Sequence, residues 1–173
     1  MRAIDHRQTG MALLISLVFL LLLSLAGLSS MQGAVSQQKS AGSAWHRNQS
    51  LQRAESGLRL GESSLRRAAA AWPLCLSVTA CSPPGESASV VEPGAHPVSA
   101  VKWLAMPDGF YGIQSLGPTV GLPHLPLQAP AALYRITSVG VSGQVRTVLE
   151  AMYAQVGEGE DARYRRVLWR QLH

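Results

Sequence analysis

The chain has 173 residues, 47% of them hydrophobic, a net charge of +5 and two cysteines. This length allows one small domain once an apolar amino-terminal segment is set aside. The basic residues are scattered and give no support to nucleic-acid binding, and the one cluster predicts a solvated strand or helix face: Arg163, Arg165, Arg166 and Arg170.

A polar, basic leader ends at Gly10, and an apolar run begins directly at Met11. Arg2 and Arg7 in the leader favour a cytoplasmic amino terminus, which places the rest of the chain across the membrane. As a helix, residues 11–28 would reach about 27 Å, just short of an apolar bilayer core of about 30 Å. The pattern predicts a membrane helix over residues 11–30.

Three other interpretations of this segment differ in what remains on the mature protein. A secretory signal would be cut after the apolar run, and Ser24–Ala26 offers small residues for that cut. A lipoprotein signal needs a cysteine where Leu28 stands. A plain signal anchor is the third possibility, and the secretory signal does not explain why Gly10 abuts the run.

All ten prolines lie between Pro73 and Pro130, so residues 11–72 are free to form one long helix. Residues 31–72 are its predicted outer half, and Pro73 is expected to end it because it disfavours helix at Trp72. The residues nearest the membrane are polar and are available to other subunits or to solvent. Farther out, a stripe of helical spacing predicts one packed face: Leu51, Ala54, Leu58, Gly61, Leu65, Ala68 and Trp72.

Two acid-first pairs of i,i+4 spacing, Glu55–Arg59 and Glu62–Arg66, are expected to support the outer helix by about 0.2–0.5 kcal/mol each. The two cysteines follow the helix. Because this part of the chain is predicted to lie outside the cytoplasm, Cys75 and Cys81 are expected to form a disulfide.

Residues 73–130 read as loop-rich, with short strand candidates at 98–104 and 111–113. The remainder reads as a meander of a strand at 133–139, a turn at Gly140–Gly143 and a strand at 145–153. A further turn covers residues 157–161. Residues 164–172 fit either a third strand or a terminal helix. Residues 73–173 therefore form the predicted globular region.

Three sequence motifs resemble PilX-type minor pilins of the type IV pilus. The leader and apolar run, 10–31, are similar to that family's amino-terminal region, and Ala54-Glu-Ser-Gly-Leu58 is similar to a stretch of its outer helix. The hairpin at 134–153 also resembles these pilins. The resemblance implies an α+β pilin-like fold, in which a long amino-terminal helix carries a small antiparallel sheet on its outer half.

The resemblance also implies that prepilin peptidase cuts after Gly10 and that Met11 becomes an N-methylated terminus. It implies no cofactor. The partners that it implies are other minor pilins, the major pilin, a tip adhesin and the inner membrane. Assembly is expected to involve Ile15, Glu55 and Leu58. The expected location is the inner membrane with a periplasmic domain, and the pilus after assembly.

One residue departs from the major pilins that this family accompanies. Those pilins have a glutamate at the fifth mature position, and here that position is Ile15. The glutamate is thought to pair with the amino terminus of a neighbouring subunit, because an unpaired carboxylate in a membrane is costly. Tip pseudopilins of type II secretion share its absence. The sequence thus predicts a subunit that primes or caps a fibre.

No catalytic motif is found, and the expected role is non-catalytic. Metal binding is not expected, because His96 and His124 stand in proline-rich loops without ligand spacing. The acidic cluster Glu158, Glu160 and Asp161 lacks the spaced oxygen ligands of a calcium loop and predicts a solvated turn. The alternatives to a pilus subunit are a minor pseudopilin of type II secretion and a membrane-anchored periplasmic binding module.

Overall fold

A computed structural model describes residues 8–68, 72–122, 128–157 and 159–172. Most of the predicted leader, residues 1–7, therefore lies outside the described residues, as does His124. Helix α1 runs from Gln8 to Arg67 over 60 residues without a break. The chain divides into two compact units within this helix, between Ala44 and Trp45, and each unit is described by itself.

The outer part of α1 ends earlier than the sequence predicts. Helical structure stops at Arg67, five residues before Trp72, and Ala68 is exposed. Trp72 instead packs, partly buried, against the core of the sheet. Pro73 disfavours helical geometry at Trp72. The Trp72 indole is partly buried against the sheet, which favours an end of the helix before this residue. The predicted stripe is therefore helical only from Leu51 to Leu65.

The second unit contains a six-stranded antiparallel sheet in which every strand pairs with its neighbours in the chain. The prediction of an α+β, pilin-like fold is confirmed. Residues 73–130, predicted to be loop-rich with short strands, contain three strands, and the longest has 11 residues and exceeds the candidate at 111–113. The strands are β1 Gly94–Ala95, β2 Lys102–Met106, β3 Gly109–Thr119, β4 Ala131–Ser142, β5 Val145–Val156 and β6 Arg163–Gln171.

The first strand candidate was also misplaced, since residues 98–101 precede β2 as a turn and coil. Two short helical segments lie between α1 and β1: helix α2, Val78–Cys81, and a 3-10 turn at Gly85–Ala88. A second 3-10 turn, Gly159–Asp161, precedes β6. The structure resolves the open choice at the carboxyl end in favour of a strand.

The β4–β5 hairpin turns later than predicted. Gly140 pairs with Thr147 inside the sheet, and the chain reverses at Gly143 and Gln144 after Ser142 pairs with Val145. Gly140 serves packing: a Cβ atom there would lie 2.1 Å from the carbonyl oxygen of Ser50 in α1. The glycine therefore permits close contact between helix and sheet, and Gly143 supplies the positive φ of the turn.

One face of the sheet packs on the outer part of α1. Ala54, Leu58 and Leu65 are at most 3% exposed and contact a cluster from β3, β4 and β5. This confirms the predicted packed stripe, and burying each leucine stabilises the fold by about 1.5–3 kcal/mol. The sheet residues of the cluster are Tyr111, Ile113, Tyr134, Ile136, Leu149, Ala151 and Tyr153.

The opposite face of the sheet has a second, smaller apolar cluster. It contains Val101, Trp103, Val139 and Val148, all at most 2% exposed. The side chain of Glu86, from the 3-10 turn, accepts a hydrogen bond from Trp103 Nε1 at 3.2 Å. The segment between α1 and β2 is thus fixed to this face. Strand β5 is buried on both of its faces, so buried and exposed residues do not alternate along it.

Candidate assembly surfaces

The amino-terminal part of α1 is apolar and exposed along its length. Residues 8–38 contain no charged side chain, and an 18-residue window of α1 has a mean hydropathy of 2.7. Leu13 and Phe19 are 70% and 64% exposed. The hydroxyls of Ser16 and Ser24 donate to main-chain carbonyls of the preceding turn at 2.8 and 2.9 Å, so neither needs water. By length and composition, α1 is able to cross a membrane.

Gly10, Met11 and Ile15 lie close together at the start of this helix, and all three are exposed. A Cβ at Gly10 would meet nothing within 4 Å. Glycine within a helix costs about 1 kcal/mol relative to alanine. Packing in the described structure therefore does not require a glycine at this position.

The outer part of α1 places Glu55 and Leu58 in different environments. Leu58 is 3% exposed and packs against the sheet of its own domain, so its side chain leaves little surface for another subunit. Glu55 is exposed and lines a cavity of about 230 Å³ together with Arg59 of α1 and Arg166 and Trp169 of β6. Of the two residues, Glu55 is available for contact with another subunit.

Glu62 links α1 to the sheet beside that cavity. Its carboxylate pairs with Arg66 at 2.7 Å, as the sequence predicts, and accepts a hydrogen bond from the Tyr153 hydroxyl at 3.0 Å. Burial, reinforced by the negative charge of Glu62, raises the pKa of Tyr153 to about 12. The phenol therefore stays protonated at neutral pH and remains a donor. Among the described residues, no ion pair joins Glu55 to Arg59.

Cys75 and Cys81 form the predicted disulfide, with their Cα atoms 5.3 Å apart. The loop that they close contains α2, whose first turn is capped by Ser77: its hydroxyl accepts from the main-chain N–H of Ala80 at 3.0 Å. Two side chains of the loop project into solvent, Leu76 at 90% exposure and Val78 at 87%. The disulfide loop thus presents apolar side chains from a cross-linked backbone.

Side chains of the sheet hold the carboxyl end of this loop. Arg135 of β4 donates to the carbonyl oxygen of Cys81 at 2.6 Å, and Gln114 of β3 donates to that of Ser82 at 3.1 Å. Gln114 also accepts from Arg135 at 3.3 Å. Carbonyl groups at a helix end lack partners within the helix, so these bonds satisfy them.

Arg135 itself belongs to a buried ionic cluster that the sequence did not predict. Glu150 of β5 is 0% exposed; its Oε2 lies 3.2 Å from Arg135 Nε, and its Oε1 lies 2.9 Å from Arg170 NH2. Burial lowers the pKa of Arg135 from its ordinary value, and the charge of Glu150 opposes that shift. The sequence does contain a signal, because Glu150 interrupts the apolar run of residues 148–154.

A second polar cluster brings together a serine, a histidine and a glutamate without forming a catalytic arrangement. Ser99 Oγ and Glu86 Oε1 lie 3.5 and 3.6 Å from the same atom, His96 Nδ1, and Ser99 also donates to Glu86. A serine nucleophile needs its base oriented through the opposite ring nitrogen. The cluster instead fixes the loop before β2.

Among the described residues, no group of three His, Cys, Asp or Glu side chains is placed to hold a metal ion. Of the acidic turn considered for calcium, Asp161 is exposed, and Glu158 lies outside the described residues.

A comparison with known protein families finds a match over most of α1. Residues 9–59 match the family described as PilX N-terminal. This match supports a PilX-type pilin. The match covers Gly10, Ile15, Glu55 and Leu58, while residues 60–173 lie outside it. Comparisons with curated proteins and with solved structures find no match.

The match agrees with the geometry. PilX-type pilins are structural, non-catalytic proteins that associate with other pilus components, and a single apolar amino-terminal helix fits a membrane-anchored pilin. In this protein the exposed surfaces are the apolar part of α1, the region around Glu55 and the disulfide loop.

The disulfide gives a direct test of topology. Protein taken from cells should yield a peptide linking Cys75 to Cys81 under non-reducing conditions. Closing so short a loop should stabilise the domain by about 2–3 kcal/mol in the chain-entropy model, so reduction should lower its thermal midpoint. If both thiols alkylate freely without reductant, the chain does not place this loop in an oxidising compartment.

Proposed function

We propose that this PilX-type pilin is a minor pilin that primes or caps assembly of a type IV pilus. The observation that carries the proposal is Ile15, an exposed apolar side chain at the fifth position after the predicted processing site. No carboxylate is available anywhere in residues 8–38 to replace the missing glutamate.

Processing would create a charged amino terminus at Met11. In a fibre, a buried ammonium group is costly unless a carboxylate lies near it. A subunit with glutamate at this position neutralises the amino terminus of the neighbour assembled before it. A subunit with Ile15 has no such group to offer, so it suits the end of the fibre, where no earlier amino terminus awaits neutralisation.

The exposed helix supports the same proposal. Side chains such as Leu13, Phe19 and Leu22 are more than half exposed. Before assembly the inner membrane covers this surface, and in the fibre the helices of the other minor pilins and the major pilin cover it. Prepilin peptidase acts first, at Gly10, and a tip adhesin is a further partner of the domain. The domain then lies in the periplasm and, after assembly, on the pilus.

Deletion in cells tests this role. Loss of the protein should sharply reduce surface pili while the major pilin is still made and processed. Cells that cannot retract pili should recover some fibres, because initiation is impaired rather than elongation abolished. In complementation, Ile15→Leu should restore piliation. Ile15→Glu should do no better than the wild type, because its carboxylate has no amino terminus to neutralise.

Normal piliation in the deletion strain would exclude the proposed role. Loss of protein secretion with intact pili would favour a type II pseudopilin, and intact pili and secretion would favour an anchored binding module. The genes next to this one separate the first two possibilities cheaply: minor pilins and a large adhesin in one case, secretion components in the other.

A further inference from the structure

A cavity of about 550 Å³ lies beside the disulfide loop, where the pairing of β2 with β3 ends. The last pair of these strands is Trp103 with Gly112. Farther along β3 the neighbour is the start of the disulfide loop, since the main-chain N–H of Cys75 donates to the carbonyl oxygen of Ser115 at 2.9 Å. The cavity lies between these two contacts, and most of its lining is apolar. The large apolar side chains that line it are Trp72, Leu74, Leu76, Leu104 and Ile113.

The disulfide loop adds exposed apolar side chains beside this cavity. Leu76 and Val78 are 90% and 87% exposed, more than any other large apolar side chain that the structure describes. Their main chain is fixed by the disulfide and by hydrogen bonds from Arg135 and Gln114, so a partner that buries them orders little additional chain. An exposed apolar patch next to a cavity is typical of a binding site. A small molecule confined to the cavity would leave both side chains in water, whereas a protein would cover them too.

Lys102 gives the cavity its charge. It is exposed at the start of β2, it is the one charged residue among the described residues that line the cavity, and no described residue forms an ion pair with it. Other polar side chains of the lining already have partners: Gln114 donates to the carbonyl oxygen of Ser82, and Ser99 donates to Glu86. The ammonium group of Lys102 therefore remains to pair with a bound partner, and it favours a carboxylate.

We propose that this cavity binds a segment of another protein, which inserts an apolar side chain and places a neighbouring carboxylate on Lys102. Leu76 and Val78 then lie against the rest of that segment. A second copy of this chain is a poor partner, because a symmetric contact centred on the cavity would bring the two Lys102 side chains toward each other. The proposal is independent of the pilus role, since it rests only on the cavity, the disulfide loop and Lys102.

The test uses full-length protein in phosphatidylcholine nanodiscs, because detergent would itself compete for an apolar cavity. The probe is a fluorescent peptide, amidated at its carboxyl end, in which phenylalanine and leucine stand next to glutamate. Fluorescence anisotropy should show saturable binding, and hydrogen exchange should slow at the amides of the disulfide loop. A peptide with lysine in place of the glutamate should bind at least about fivefold more weakly, because it replaces an attraction to Lys102 with a repulsion.

Reversing the charge of Lys102 locates the carboxylate. Lys102→Glu should reverse the preference, so that the lysine peptide binds more tightly than the glutamate peptide. Lys102 is exposed, so the fold should tolerate the change; if it does not, Lys102→Gln should remove most of the difference between the two peptides. Arg47→Glu, an equal charge change at an exposed residue of α1, should leave the preference as it is in the wild type.

Val78→Ser tests the contribution of the disulfide loop. It should weaken binding of the glutamate peptide by about threefold or more. Val91→Ser makes the same change at a residue that is 71% exposed and does not line the cavity, and it should have no effect. No saturable binding of the glutamate peptide, equal binding of both peptides to the wild type, or an unchanged preference in Lys102→Glu would each overturn the proposal. Dimers in which exchange slows in the disulfide loop would also overturn it, because a second copy would then be the occupant.

Discussion

A chain carrying Gly10→Val should keep its leader and be missing from surface pili. The resemblance to PilX-type pilins implies that the leader peptidase requires glycine directly before the cut. The structure gives valine no steric reason to disturb the helix, since a Cβ at Gly10 meets nothing within 4 Å. Intact-mass analysis of the wild-type protein from cells should find a methylated terminus at Met11. The variant should show no detectable cleavage there.

Gly27→Val is the matched control for this experiment. It makes the same change in the same helix, again with nothing within 4 Å of the new Cβ. It should be processed as efficiently as the wild type. A wild-type terminus at Gly27 would instead show cleavage by an ordinary signal peptidase, and it would contradict the pilin interpretation of the leader.

Glu150→Ala should lower the free energy of unfolding by about 3–5 kcal/mol, because it leaves Arg135 buried without its carboxylate partner. The side chain of Arg135 is 8% exposed, so water cannot replace the lost partner. Arg135 also holds the carbonyl of Cys81, so protection of the disulfide loop against hydrogen exchange should fall as well. Denaturant unfolding of the full chain in detergent measures the first effect.

Glu92→Ala removes the same group from an exposed position and should change stability by no more than about 0.5 kcal/mol. A loss of less than about 1 kcal/mol for Glu150→Ala would mean that the buried pair contributes little to the fold.

The long helix and its packed face could be predicted because they depend on local rules. Absence of proline permits one helix, and the spacing of Leu51, Ala54, Leu58 and Leu65 fixes which side is buried. The strands near the carboxyl end could also be predicted, because they are rich in β-branched and aromatic residues. The disulfide followed from two cysteines close in sequence beyond a membrane segment.

Features that depend on contacts between distant residues were missed. Gly140 reads as a turn residue because glycine usually marks turns, yet it lies in β4 opposite Thr147. A glycine stands there because α1 passes too close for a side chain. The early end of α1 depends on the burial of Trp72 against the sheet. The cluster around Glu150 joins three strands, and no local pattern reveals which arginines reach a buried glutamate.

Quantitative mass spectrometry of sheared, purified pili tests the central claim most directly. A subunit that primes or caps the fibre should be present in a few copies for each fibre, and antibody labelling should place it at one end. Copy numbers near those of the major pilin, with label spread along the fibre, would contradict a role at the fibre end.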